Sequence, residues 1–344
     1  MTAAQDILNT KEPGFLFTGN PDTLKTEYVD LAKQWHPDKN PSTEAVPVMQ
    51  HINDLYKKAI QMIVVGTWIS KDQLQLTEKS KVTVKYLYKK HHQFELGNLY
   101  INDHEVIYVI DKINKDLFDN ARKAISNFKF KSDRMKQEVK KYLPEIIRTF
   151  ETSEDQLVME VRKTPDLLLL KDVLDYHTKN TILDWDRHVA WIQSTLHNLV
   201  CYFEVSGITH NSISLDNYFI SPEFHSGSLL GGWWYSIEQG RKMIGVPART
   251  FGLMPLKTKE SKEASIKTDL ELLRSIGREL LGDSSGVRLL KNKAAPPPMI
   301  NWLRSAPAKD AIKDYKLWQN VLTDSFGPRK FVKLDLTSEI LYGK

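Results

Sequence analysis

The sequence predicts an α+β protein in two parts: a short helical segment at the N-terminus, then a longer segment that is strand-rich first and helical later. Three observations carry this expectation. Apolar residues recur at helical spacing from Pro21 to Trp35 and again from Val48 to Ile63. Between residues 73 and 125 the pattern changes to short β-rich stretches, and from Leu167 onward helical periodicity dominates, notably over Trp185 to Val205 and Thr268 to Leu281.

At 344 residues the chain is long enough for two domains at roughly 100–200 residues each. Its apolar share of 41% and charged share of 26% are those of ordinary globular protein, so real cores are expected. The single Cys201 cannot form an internal disulfide, and neither a charged-then-apolar leader nor an apolar run of about 18 residues stands out. The expectation is a soluble protein of the reducing cytoplasm with no membrane partner. Charge is uneven: residues 1–65 hold 6 Lys/Arg against 8 Asp/Glu, whereas residues 66–145 hold 16 against 11. That surplus reads as a solvated face rather than a nucleic-acid footprint, because no base-stacking aromatics are interleaved with it in a known motif.

In the first helix Leu24, Tyr28, Leu31, Ala32 and Trp35 share a face, with Asn20 and Asp22 placed to cap it. Pro37 ends it, and Lys39-Asn40-Pro41-Ser42 continues as a polar loop. Val48, Ile52, Leu55, Tyr56, Ala59, Ile60 and Ile63 form the facing stripe of a second helix. Strands follow at Val82 to Tyr88, Phe94 to Ile101, Val106 to Ile110 and, more weakly, Leu117 to Ile125. Ser132 to Tyr142 reads as a basic helix, and Ile146 to Thr152 and Gln156 to Val161 as strands. No internal repeat is present, and Ala294-Ala295-Pro296-Pro297-Pro298 is a stiff connector. The expected boundaries are 1–66, 73–163 and 164–344.

The stretch from Leu24 to Pro41, with His36-Pro37-Asp38 at its turn, resembles the second helix and loop of J domains, the modules through which DnaJ-like co-chaperones act. Ile52-Asn53-Asp54-Leu55-Tyr56 resembles their third helix. The resemblance implies a helical hairpin whose tip recruits a DnaK-type heat-shock chaperone and stimulates its ATPase. A proline-fixed turn presents an imidazole and a carboxylate at low ordering cost, and activation then requires unequal affinity for two states of the partner. Lys25, Lys33 and Lys39 are the implied cationic contacts. Val29 and Asp30 stand where the family usually places a basic pair, so electrostatic steering should be weaker. Ile7-Leu8 or Phe15-Leu16-Phe17 must serve for the family's first helix.

Gly207 to Ile220 resembles the catalytic loop of protein kinases, in which His-Arg-Asp is followed four residues later by Asn. His210 and Asn217 keep their places, while Ser212 occupies the position of the proton-accepting aspartate and Ser214 that of the supporting lysine. Asp269, leading Asp269-Leu270-Glu271-Leu272-Leu273, resembles the aspartate that braces that loop from a buried helix. The resemblance implies a two-lobed domain with a β-rich small lobe and a helical large lobe. It also makes Lys123, with Lys112 as a second possibility, and Glu138 the candidates for a nucleotide-site ion pair; a surface lysine and a solvated glutamate are the plain alternative. His210 reads equally as a core histidine, and Trp233, Trp234 and Tyr235 as core aromatics.

The family's phosphate chemistry has no counterpart. The first hairpin holds only Gly97, and Leu229-Leu230-Gly231-Gly232-Trp233-Trp234-Tyr235, where Asp-Phe-Gly is expected, offers no carboxylate before Glu238. No zinc or calcium spacing appears around His91-His92 or His104, and Asp184, Asp186 and His188 suit a helix start, so no metal site is expected. The sequence therefore points to a co-chaperone with a pseudokinase domain that binds an unidentified client and takes no cofactor beyond weak ATP binding. An atypical active kinase using Asp216 is the enzyme alternative, and a polyanion-binding scaffold the third reading.

Overall fold

The computed structural model describes residues 4–65, 68 and 72–343, so both ends of the expected 1–66 segment and Lys344 lie outside the described residues. The chain divides into two compact units, Met1–Tyr88 and Lys89–Lys344.

In the first unit α1 (Ala4–Asn9) leads through a 3-10 turn to α2 (Leu24–Trp35) and α3 (Ala45–Val65). Ile7, Leu24, Trp35, Val48 and Ile52 form its core. Tyr28 locks α2 to α3: its ring stacks on Tyr56 at 4.2 Å and 22°, and its hydroxyl donates to Asn53 Oδ1 at 2.8 Å. Such a ring pair contributes about 0.5–1.5 kcal/mol beyond its buried area. A hairpin of β1 (Gln73–Thr77) and β2 (Thr83–Leu87) follows. Residues 73–88, which the sequence pattern groups with the strand-rich lobe, thus fall within the first unit.

The second unit opens with an antiparallel sheet of β3 (Lys90–Phe94), β4 (Gly97–Ile101), β5 (Glu105–Asp111), β6 (Ile146–Glu151) and β7 (Gln156–Arg162), ordered β3-β4-β5-β7-β6. Phe94 to Ile101 is not one strand: the chain turns at Glu95–Leu96. Gly97, at φ +154°, makes the turn possible, because a Cβ there would lie 2.1 Å from the Val109 carbonyl oxygen on β5. Leu117 to Ile125 is likewise not a strand but the body of α4 (Lys115–Ser126). Phe118, Ala121 and Ile125 fall on one helical face and are buried, and Asp119 pairs with Lys115 and Arg122 along the other. The basic helix follows as α5 (Asp133–Val139), capped by Ser132 Oγ accepting from Met135 N.

The remainder comprises a small sheet of β8 (Leu168–Leu169), β10 (Tyr218–Ser221) and β11 (Ser226–Leu229), a β9 (Ile208–Thr209) and β12 (Ile237–Glu238) pair, and a set of helices. These are α6 (Leu170–Asn180), α7 (Trp185–Ser206), α8 (Ala248–Leu253), α9 (Leu256–Ser261), α10 (Ile266–Leu280), α11 (Leu289–Asn292), α12 (Pro297–Arg304), α13 (Ala311–Phe326) and α14 (Ser338–Tyr342). The core runs without interruption from Leu99 and Tyr108 in the large sheet to Phe203, Leu273 and Trp318 in the helices. Among the described residues no helix is long and apolar enough to cross a membrane.

A buried ion pair ties α10 to α13. Arg274 donates to both carboxylate oxygens of Asp314 at 2.9 and 2.8 Å, and its Nε donates to the Trp302 carbonyl. Asp314→Ala leaves that guanidinium buried without its counterion, which costs about 3–5 kcal/mol. Calorimetry of the full chain should show the second unit's transition lowered on the order of 10 °C. A shift within error of the parent would show that the pair contributes little.

Candidate functional site

The first candidate region is the turn between α2 and α3. His36 takes the extended backbone that a following proline requires (φ −63°, ψ 130°), which ends α2. The loop is rebuilt around it: the His36 carbonyl accepts from Lys39 N and Asn40 N, and Asp38 N donates to His36 Nδ1 at 3.2 Å. Asn40 Nδ2 closes the loop by donating to the Gln34 carbonyl. The turn is ordered by its own hydrogen bonds, yet the side chains of His36 and Asp38 are 47% and 85% exposed. Lys25, Lys33 and Lys39 are exposed on the same helix and loop, but Lys33 is paired with Asp30 at 3.0 Å, so Asp30 cancels part of the local charge.

The second candidate region is a cleft of about 190 Å³ in the second unit, lined among others by Phe94, Glu95, Tyr108, Ser212, Asn217 and Trp234. Its floor is the loop between β9 and β10. Asp269, in the first turn of α10, is fully buried; its Oδ2 accepts from His210 N and its Oδ1 from Asn211 N, both at 2.8 Å. This brace holds Asn211 at φ +60°, where its Nδ2 donates to Thr209 Oγ1 and the Tyr235 carbonyl. His210 Nε2 donates to the Gly231 carbonyl at 3.0 Å, and burial drives its pKa down to about 3, so it is a neutral donor. Asn217 ties the loop from the other side: Oδ1 accepts from Ser214 N and Nδ2 donates to the Ser212 carbonyl. His210, Asn217 and Asp269 thus meet around one loop, all three in structural contacts.

Gly232 sits at φ +80°, where a Cβ would fall 2.4 Å from Asn217 Nδ2, and one on Gly231 would fall 2.3 Å from the Tyr108 hydroxyl. These glycines let the turn Trp233–Tyr235 approach the sheet. Trp234 then meets Tyr108 edge-on at 5.4 Å and stacks near Phe94 and Phe118, each at 6.3 Å. Asn120 of α4 latches the turn by donating to the Trp234 and Ser236 carbonyls. Tyr108, on β5, and Phe118, on α4, carry no pattern that distinguishes them from core residues, and only the fold reveals that both pack against Trp234, with Tyr108 lining the cleft. The Tyr108 hydroxyl is buried without a hydrogen-bond partner, and burial raises its pKa well above the usual range.

The Lys123–Glu138 pair is not formed. Lys123 lies on α4 rather than a strand, and Glu138 is exposed on α5, paired with Arg134 at 2.9 Å. Lys112 pairs with Glu151 and Asp155, and none of the three borders the cleft. The position of Lys123 follows from helix α4 occupying the slot read as a strand, which leaves the lysine exposed. Two polar pairs at the cleft went unseen: Lys171 donates to Asp216 at 2.6 Å, and His92 Nε2 lies 3.0 Å from Asp172 Oδ1. Among the described residues no three His, Cys, Asp or Glu side chains converge as a metal site would require.

No protein-family model matches the chain, and no curated protein does. Among solved structures it is similar to vaccinia related kinase 3, with a TM-score of 0.47 and 12% identity over 73% of this chain and 90% of that one.

Burial lifts Asp269 to about 7 against the pull of its two amide donors. Between its ordinary 3.8 and that value the folded state holds a proton the unfolded state has lost, so this group makes stability fall as pH rises. His188, His197 and His210, held down by burial, act in the opposite sense as pH rises towards 6.5. Asp269→Asn removes the falling contribution. Its denaturant stability should therefore rise more steeply with pH than the parent's between about pH 4 and 7, by up to ~1.4 kcal/mol per pH unit. Parallel curves would mean that Asp269 is ionised throughout.

Proposed function

We propose that this chain is a J-domain co-chaperone whose second unit is a pseudokinase serving as a client- or partner-binding module. The observation that carries the first half is the ordered, exposed His36-Pro37-Asp38 turn at the junction of two packed helices, where backbone bonds fix the loop and leave imidazole and carboxylate free for a DnaK-type ATPase. A fixed, exposed imidazole and carboxylate of this kind lower the ordering cost of docking.

The full chain should accelerate single-turnover ATP hydrolysis by a DnaK-type chaperone, and His36→Gln or Asp38→Asn should abolish the effect without changing the circular dichroism. Undiminished stimulation by both variants sinks the assignment. Asp30→Lys frees Lys33 and adds a positive charge, so stimulation at low salt should increase and the gain should fade as salt screens it.

The pseudokinase half is supported by what fills the cleft. Phosphoryl transfer relies on positioned charges and metal ligands, whereas Phe94, Tyr108 and Trp234, which line the cleft, are neutral rings packed on one another, with Ser212 in place of a carboxylate. The space left, about 190 Å³, is below the ~300 Å³ at which ligand pockets begin. Asp216, the base of the active-kinase alternative, borders the cleft but is held by Lys171. ATP, with or without magnesium, should shift the melting temperature by less than about 1 °C and show no turnover. Magnesium-dependent phosphotransfer that disappears in Asp216→Asn would establish the kinase alternative instead. The polyanion reading loses support because Lys112, Lys115, Lys129 and Arg134, within the basic stretch, are all paired with carboxylates.

A further inference from the structure

A second open space in the second unit lies away from the cleft: a groove of about 980 Å³ bordered by α5, α7, α13 and the chain following α13. One wall is a three-ring stack. Trp191 of α7 lies on His225 at 4.6 Å and 3°, and His225 on Phe331 at 4.3 Å and 13°. Phe331 is nonetheless 66% exposed, so the stack presents an aromatic face to solvent. Leu199, Tyr202 and Leu322 add apolar surface along the groove. Patches that are both apolar and concave mark binding sites more often than do scattered surface hydrophobics.

The charge around this apolar lining has one sign. Lys141, Arg187, Arg329 and Lys330 border the groove, and none of them has a carboxylate within 4 Å among the described residues. Arg187 packs over the Phe326 ring at 5.0 Å and Lys141 over the Tyr142 ring at 4.9 Å, which fixes cations beside apolar faces. The only carboxylate on the border, Glu138, is already neutralised by Arg134. Free cations next to exposed aromatics are complementary to a ligand that carries acid on one side and apolar side chains on the other. The groove is long enough to be bordered by three helices and the chain after them, so an extended element suits it better than a compact small molecule.

We infer that this groove binds an acidic amphipathic helix of a partner protein, with its apolar face on the Trp191–His225–Phe331 stack and its carboxylates on Arg187, Arg329 and Lys330. The inference rests on reading the second unit as a binding module and names the chemistry of its partner. It does not use the cleft.

The test takes the full chain and a fluorescein-labelled synthetic peptide with Leu and Phe on one helical face and Glu on the other. The controls are the same peptide with every Glu changed to Lys, and vesicles containing phosphatidylserine. Anisotropy should show saturable binding of the Glu peptide, about tenfold or more tighter than the Lys peptide and weakening as salt rises from roughly 50 to 300 mM. The exposed substitutions Lys330→Glu and Phe331→Ala should each weaken it several-fold while leaving the thermal transition unchanged. Equal affinity for both peptides, insensitivity to both substitutions, or binding to vesicles without binding to the peptide overturns the inference. The chaperone ATPase assay run on the same samples separates the two ideas. Peptide binding without stimulation removes the co-chaperone reading and leaves the groove, and stimulation without peptide binding does the reverse.

Discussion

The second unit depends on one buried carboxylate. Asp269 stands in the first turn of α10, where Ser265 caps the helix and the N-terminal dipole favours negative charge. From there it accepts the amides of His210 and Asn211 and so fixes a left-handed residue in the middle of the loop. The loop sets the direction of the His210 ring, which reaches the Gly231 carbonyl, and that contact fixes where the Trp233–Tyr235 turn begins. The turn brings Trp234 to the sheet, and Asn120 then draws α4 onto it. Removing the carboxylate would release two buried amides at once, each costing about 1–3 kcal/mol unpaired.

What this chain of contacts produces is a site filled by its own side chains. Phe94 and Tyr108 from the sheet and Trp234 from the turn occupy one another's surface, and the two glycines beside the turn leave no room for even a methyl group. A charged ligand entering here would have to displace apolar rings and desolvate, with Lys171 already committed to Asp216. The geometry conserves the loop's architecture and spends it on packing.

Much of this was legible in the sequence, for identifiable reasons. The α2–α3 pair, strands β5 to β7 and helices α7 and α10 follow from periodicity over long runs, whereas His210, Asn217 and Asp269 were singled out by the resemblance to a kinase catalytic loop. Helix α4 was not legible as such, because Leu117-Phe118 and Ala124-Ile125 form short apolar pairs that suit either period, and its helical face appears only once Ala121 is counted as core. That single misreading displaced the expected ion pair onto Lys123 and Glu138. The aromatic filling of the cleft could not be read at all, since Trp234 is far along the chain from Phe94 and Tyr108 and each is locally an ordinary core residue. The placement of residues 73–88 with the first unit is equally a matter of tertiary contact, invisible to local pattern.

The end of the chain argues the same way as the cleft. Leu334 and Leu336 are buried in the second unit's core, and beyond them Ser338 Oγ donates to Asp103 in the turn between β4 and β5 at 3.0 Å. Four residues later the Tyr342 hydroxyl accepts from Leu169 N, just before α6. One segment therefore ties the large sheet to the helical part from outside. Enzymes that transfer groups between bound substrates commonly open and close about such a junction. A strap across it restrains that motion, and on its way to the junction the same segment supplies Phe331 and Lys330 to the groove. Under the binding-module proposal, the segment that ties the junction also lines the groove, so a partner would meet a surface already ordered.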